Sequence, residues 1–168
     1  KIIPIFPRKN ALAISQNRIE EKKFFQSLGL KTAQYALVNS FERFLAAEVV
    51  IKTPSILKTC SEGYDGKGQI DITTKKKLLD AVYEFGNVPC VLEKKIELTK
   101  ELSIILARDF SGNIVNYPVA ENHHKKGILD TSIMPGNVSQ SVKDQIIQFA
   151  VKIIQHMNYC GVLCIEFF

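Results

Sequence analysis

Three glycines within six residues, Gly63, Gly66 and Gly68, follow closely on an apolar run that ends in a lysine, Ile56-Leu57-Lys58. Between them stand Tyr64, Asp65 and Lys67, reactive or charged side chains that a plain turn does not need. Glycine admits positive φ and lets a ligand come close to backbone N–H groups, so a loop of this composition can fold over phosphate oxygens. Lys58 and Lys67 would add positive charge on either side. Spacing excludes two better-known phosphate loops. A P-loop needs Gly-Lys followed by Ser or Thr and a helix, whereas Lys67 is followed by Gly68 and the extended Gln-Ile-Asp-Ile-Thr. The dinucleotide fingerprint has its close glycine pair first and opens a helix; here the close pair comes last and a strand follows. Asp65-Gly66 is also a strong hairpin dipeptide, so taken locally the segment reads equally as a tight turn between two strands.

The chain has 168 residues, 46% of them hydrophobic, enough to bury a sizeable core as one domain or two small lobes. The net charge of +5 is modest. The runs Lys75-Lys76-Lys77 and Lys125-Lys126 read as solvated faces, with no RNA-binding aromatic motif beside them, so no nucleic-acid partner is expected. No apolar stretch approaches the roughly 18 residues that cross a bilayer, and no signal peptide opens the chain, so a soluble, cytoplasmic protein is expected. Cys60, Cys90, Cys160 and Cys164 contain no Cys-x-x-Cys pair and lie in or beside apolar runs, which reads as buried reduced thiols. Cys60, at the border of the glycine loop, would react with alkylating agents only if exposed.

Periodicity gives an α+β chain. Residues 16–28 form a helix with Ile19, Phe24, Phe25 and Leu28 apolar and Gly29 as its C-terminal cap. A strand at 35–38, a helix capped by Asn39-Ser40, and strands at 56–59 and 69–72 around the glycine loop follow. An amphipathic helix over 74–85 presents Leu78, Leu79, Val82 and Tyr83 as its apolar face. Beyond it come a strand from Cys90, a hairpin of 101–108 with 114–119, a strand at 128–134, the longest helix at 139–157 and an almost wholly apolar strand at 162–168. Two mixed lobes are expected, one over about residues 12–88 and one over about 89–168.

Gly-Tyr-Asp-Gly-Lys-Gly-Gln after Ile-Leu-Lys, Gln16-Asn17-Arg18 opening a helix, and Leu30-Lys31-Thr32-Ala33 recur in order with further motifs. These are Val91-Leu92-Glu93-Lys94-Lys95-Ile96, Lys100-Glu101-Leu102-Ser103, Tyr117 to His124, Gly127-Ile128-Leu129 and Gly161 to Phe168. Together they resemble the N5-carboxyaminoimidazole ribonucleotide synthetase family of ATP-grasp enzymes, over about residues 12–168. The resemblance implies an ATP-grasp fold holding the nucleotide between two lobes. It also implies ATP-dependent carboxylation of 5-aminoimidazole ribonucleotide by bicarbonate, with ATP and magnesium as cofactors and a homodimeric full-length enzyme.

Residue by residue, the resemblance puts Arg18 and Lys58 on ATP, Lys58 at the phosphates. It makes Gly63, Tyr64, Asp65, Gly66, Lys67, Gly68 and Gln69 the lid over those phosphates. Tyr64 and Asp65 would orient the acceptor amine or bicarbonate, and Lys67 would grip phosphate or bicarbonate, although members commonly have arginine where Lys67 stands, and lysine lacks the bidentate fork. Glu93-Lys94-Lys95-Ile96 would form the inter-lobe hinge, with Glu93 and the backbone of Lys95 and Ile96 reading the adenine edge. Glu101 would bind the ribose hydroxyls, and His124 would lie at the nucleotide. Glu166 is implied as a magnesium ligand; an acid in so apolar a strand is costly unless paired, protonated or metal-bound. The next metal ligand would fall beyond Phe168, so this chain by itself is expected to bind ATP weakly and not to turn over, and its final strand is expected to self-associate as an open sheet edge. A different ATP-grasp ligase, a non-catalytic fragment and an interaction module are the other readings.

Overall fold

The computed structural model describes residues 5–61, 68–86, 88–125 and 127–168. The chain divides into two units, Ile14–Glu97 and a second made of Lys1–Ala13 with Leu98–Phe168. Helix α1, Lys9–Ser15, straddles that division. Among the described residues there are five helices and two sheets, the mixed α+β arrangement that the periodicity predicts.

The first unit contains α2 (Arg18–Ser27), β1 (Tyr35–Val38), α3 (Phe41–Val50), β2 (Ser55–Thr59), β3 (Gln69–Ile72), α4 (Lys75–Phe85) and β4 (Cys90–Lys94). Its four strands run antiparallel in the order β1-β4-β2-β3. β4, the expected start of the second lobe, is hydrogen-bonded between β1 and β2 and so belongs to the first unit. Local signals shape the helices. The Asn17 side chain accepts from the Ile19 and Glu20 N–H groups, and Gly29, at φ 73°, follows the C-cap of α2. Ser40 and Thr74 cap α3 and α4 in the same way.

Alternation in the strands divides the sheet into two faces. Val38, Leu57, Ile72, Cys90 and Leu92 face a core closed by Phe44, Ala47 and Ile51 of α3 and its end, and by Leu78 and Ala81 of α4. On the opposite face Val91 packs with Ile19 of α2, Cys60, Tyr35 and Leu37. Tyr83 departs from expectation: it lies about 140° around the helix from Leu78 and is 81% exposed. Ala81 takes the buried position instead.

The second unit contains β5 (Glu101–Arg108), β6 (Ile114–Asn116), β7 (Ala120–Lys125), β8 (Ile128–Ile133), α5 (Gln140–His156) and β9 (Gly161–Phe167). The expected hairpin forms, with Leu106 opposite Asn116, and its return continues as β7 along the first half of β5. β9 pairs with β5 along its whole length, from Leu102 opposite Phe167 to Arg108 opposite Gly161. α5 buries Ile146, Ala150, Ile153 and Ile154, a helical spacing that covers one face, on which Leu102, Ile104, Leu106 and Ile165 are also buried. Gly136 crosses β7 so closely that a Cβ there would lie 2.9 Å from the Glu121 nitrogen.

Two substitutions test this packing. Phe44 is fully buried, so Phe44→Ala should cost about 3–5 kcal/mol in urea unfolding. Gly136→Ala should cost about 1–3 kcal/mol by forcing the strap off β7; an unchanged midpoint would show that the backbone there yields freely.

Candidate functional site

The register of the first sheet assembles a charged cluster on the face that α2 covers. Glu93 stands opposite Tyr35 on β1 and opposite Ile56 on β2, so Lys58, two residues along β2, is its diagonal neighbour on the same face. The Lys58 ammonium donates to Glu93 Oε2 at 3.1 Å. Lys22 of α2 reaches the other oxygen, Oε1, at 3.1 Å and lies 5.4 Å from the centre of the Tyr35 ring. The Glu93 side chain is only 9% exposed. Burial alone would raise its pKa, but attraction and hydrogen bonding from Lys58 and Lys22 outweigh burial and hold it below the ordinary carboxylate value.

One helical turn before Lys22, Arg18 ties α2 to the end of β2. Its Nε donates to the Thr59 carbonyl at 3.1 Å and its backbone N–H to the Cys60 carbonyl at 2.9 Å. Glu21, beside these cations, has its pKa raised by burial, with Lys22 and Arg18 opposing the rise. Among the described residues, the cluster therefore holds three cationic side chains, Arg18, Lys22 and Lys58, with Glu93 and Glu21 beside them.

The glycine loop joins β2 to β3. Thr59 N–H donates to the Gly68 carbonyl at 2.9 Å, and Gln69, opposite Lys58 in the ladder, is exposed on the cluster's face. Gly63, Tyr64, Asp65, Gly66 and Lys67 lie outside the described residues. After β4, the Lys94 N–H donates to Gln34 O and the Lys95 N–H to Pro54 O, at 2.8 and 3.1 Å. The Lys94 ammonium reaches the Lys52 carbonyl at 3.1 Å, Lys95 pairs with Asp71 at 2.9 Å, and Ile96 is exposed. Glu93 and the Lys95 amide are thus both engaged within the first unit. Both carboxylate oxygens are held by lysines and the amide by a carbonyl.

In the second unit, Glu101 stands opposite Asn122, with His124 diagonal to it. Glu101 Oε2 lies 2.7 Å from His124 Nδ1 but off the line of the ring N–H, so the contact is one of proximity rather than a hydrogen bond. Beside it Lys100 donates to Glu121 Oε2 at 2.7 Å, and these four residues line one depression with Leu98 and Thr99. The Lys100 hydrogen bond leads the groups that lower the Glu121 pKa. Behind the pair, Ser103 and Ser132 both donate to Asn122 Oδ1, fixing three strands.

Glu166 corrects the sequence reading of a buried acid. It stands opposite Ser103 and is exposed, because the alternating residues Val162, Cys164 and Glu166 face away from the side that buries Ile165. Cys164 is likewise exposed, whereas Cys60, Cys90 and Cys160 are buried as expected. Burial raises the Cys60 thiol, and burial together with nearby Cys60 pushes Cys90 up to about 11, so neither is a reactive thiolate. Among the described residues no group of three His, Cys, Asp or Glu side chains could hold a metal ion. Lys22, Glu21, Lys100 and Glu121 were not legible as site residues. Lys22 had one signal, its position four residues after Arg18 on the same helical face.

Residues 23–168 match the ATP-grasp domain. The chain belongs to the ATP-grasp family. Among ATP-grasp relatives it is similar to the N5-carboxyaminoimidazole ribonucleotide synthase of Brucella melitensis biotype 1, 38% identical over 98% of this chain and 46% of that protein. With the protein of the same description from Bacillus subtilis (strain 168) it is 37% identical over 94% of this chain and 41% of the relative. A crystal structure of N5-carboxyaminoimidazole synthetase from Staphylococcus aureus complexed with ADP superposes with a TM-score of 0.87 at 31% identity, over 95% of this chain and 42% of that one. The chain spans less than half the length of these ATP-grasp relatives.

The lowered pKa of Glu93 gives a pH test. A carboxyl whose folded pKa lies below its unfolded value contributes fully above about pH 4.5 and loses that contribution as pH falls through the folded value. Glu93→Gln, which leaves two lysines without their counter-charge, should cost about 3–5 kcal/mol at pH 7. The gap between the variant and the unsubstituted chain should close below about pH 4.5; a gap independent of pH would show that the lysines do not depend on the ionised carboxylate.

Proposed function

We propose that this chain is the ATP-grasp portion of an N5-carboxyaminoimidazole ribonucleotide synthetase. The observation that carries the proposal is 37–38% identity over nearly the whole chain to relatives of that description. The geometry agrees with it: Lys58 and Arg18 gather excess positive charge where β2 runs into the glycine loop, as a polyphosphate site requires.

In this reading ATP transfers its terminal phosphoryl group to a bicarbonate oxygen, releasing ADP and forming carboxyphosphate. The exocyclic amine of 5-aminoimidazole ribonucleotide then attacks the carboxyl carbon, the C–O bond to phosphate breaks, and the amine gives up a proton. Such chemistry asks a protein for positioning, for charge held ready at the transferring oxygens, and for exclusion of water from an unstable acyl phosphate. Lys58 and Arg18 hold the nucleotide, and Gly68 and Gln69 with residues 63–67 cover its phosphates. Tyr64, Asp65 and Lys67 orient bicarbonate and the acceptor amine. The base edge falls to the Lys95 carbonyl and the Ile96 amide, since the Lys95 N–H is already bonded. Glu101 accepts from the ribose hydroxyls with His124 beside it. Glu166 offers an exposed hard oxygen of the kind magnesium takes alongside phosphate oxygens, and the ion when bound would draw charge from the phosphates. A homodimeric, cytoplasmic full-length enzyme completes the reading.

Calorimetry of this chain with ATP and magnesium tests it. Binding should be measurable, and Lys58→Ala should weaken it at least about tenfold, the equivalent of roughly 1.4 kcal/mol. Equal affinities in the two proteins would remove Lys58 from the phosphates, and no binding in either would remove the nucleotide function from this chain.

A further inference from the structure

The mechanism above uses Lys58 and leaves Lys22 without a role, yet the two lysines hold the same carboxylate from opposite sides. We infer that Lys22 is a positioning residue for the phosphate-binding lysine, acting through Glu93 to set where the Lys58 ammonium sits and how much of its charge remains for a ligand. The inference rests on the proposed nucleotide function and names a residue that function did not include.

Three observations support it. The first is charge. A lone Glu93–Lys58 pair would be neutral, and a buried carboxylate with one partner would draw that ammonium fully onto itself. With Lys22 on Oε1 and Lys58 on Oε2, both at 3.1 Å, the carboxylate is shared and the trio carries a net positive charge. The second is access. The Lys22 side chain is 13% exposed and Lys58 20%, so Lys58 is the more open of the two. The third is anchoring. Lys22 sits 5.4 Å from the centre of the Tyr35 ring, and Tyr35 stands opposite Glu93 in the ladder, so ring, carboxylate and both ammonium groups form one row across β1, β4 and β2. Arg18, one turn earlier on α2, fastens that helix to the Thr59 and Cys60 carbonyls and fixes the point from which Lys22 projects. Lys22 thus acts on a ligand through Glu93 and Lys58 and does not touch it.

A structural role alone would weaken every ligand together, and a positioning role would weaken only those with phosphates. The test is therefore binding of MgATP by calorimetry and of adenosine by NMR titration to this chain, to Lys22→Met and to Lys22→Arg. Lys22→Met should lose about tenfold or more in ATP affinity while adenosine changes by no more than about twofold, and Lys22→Arg, which restores the charge, should recover most of the loss. Should Lys22→Met not fold, Lys22→Gln keeps the hydrogen-bonding reach without the charge and carries the same expectation. ATP affinity unchanged in the uncharged variant overturns the inference, and so does an equal loss of ATP and adenosine. If neither Lys58→Ala nor the unsubstituted chain binds ATP, the nucleotide reading has failed and the inference falls with it; if both bind it equally, Lys58 is not at the phosphates and the inference alone falls. If only Lys58→Ala loses ATP, the reading stands and the role of Lys22 alone is refuted.

Discussion

An ionised carboxylate on a buried sheet face needs opposite charge within hydrogen-bonding reach, and Glu93 obtains it twice. Much of the first unit is arranged around that requirement. β4 must lie between β1 and β2 for Glu93 to stand opposite Tyr35 and diagonal to Lys58. α2 must cover the same face for Lys22 to meet the second oxygen. The caps of α2, Asn17 at one end and Gly29 beyond the other, set its length, and Arg18 sets its anchor. A slip of one residue between β2 and β4 would send Lys58 to the face occupied by Leu57 and Leu92, which is fully buried apolar core. The ion pair and the apolar core therefore specify the same register, and neither could be kept in another.

Elements whose signals are local could be read from the chain. The Ser40 cap of α3, Gly29 beyond the end of α2, the hairpin of β5 with β6 and the long period of α5 each depend on neighbours a few residues away. What could not be read depends on distant partners. Nothing near Cys90 says that β4 belongs with strands ending thirty or more residues earlier, so the division was placed before it rather than after Glu97. Tyr83 is apolar enough to be counted into a helix face, but only the position of the sheet decides which stripe of α4 is buried. β9 misled for a related reason. Val162 and Cys164 are apolar although they point outward, which hides the period-two alternation that would have shown Glu166 to be exposed.

The candidate site divides along the same line. Lys58 and Glu101 stood out through motifs, but their partners come from pairing. Lys58 is defined by a strand one sheet position away, and Glu101 by His124 across β5 and β7. Lys22 belongs to no motif and gains its meaning only when α2 lies over Glu93. The glycine-loop residues show the converse. Their chemistry is the most legible in the chain, because it rests on the properties of glycine, aspartate and lysine and on no distant partner.

Electrostatics connects these placements to the chemistry. A site for a polyphosphate must hold positive charge that is not already neutralised, yet cations gathered on a protein face repel one another. One acid among several bases resolves the conflict, because it lowers the mutual repulsion of Lys22 and Lys58 while leaving a positive remainder. Glu21 bears on the same balance. Burial raises its pKa and makes its charge the easier of the two to lose as pH falls. Two glutamates beside the same cations thus differ in how tightly they keep their charge, and the difference follows from position. Glu93 accepts directly from two ammonium groups, whereas Glu21 has its pKa set chiefly by desolvation. The gathering of Lys22, Lys58 and Arg18 at the end of β2 is therefore a consequence of the fold of the first unit.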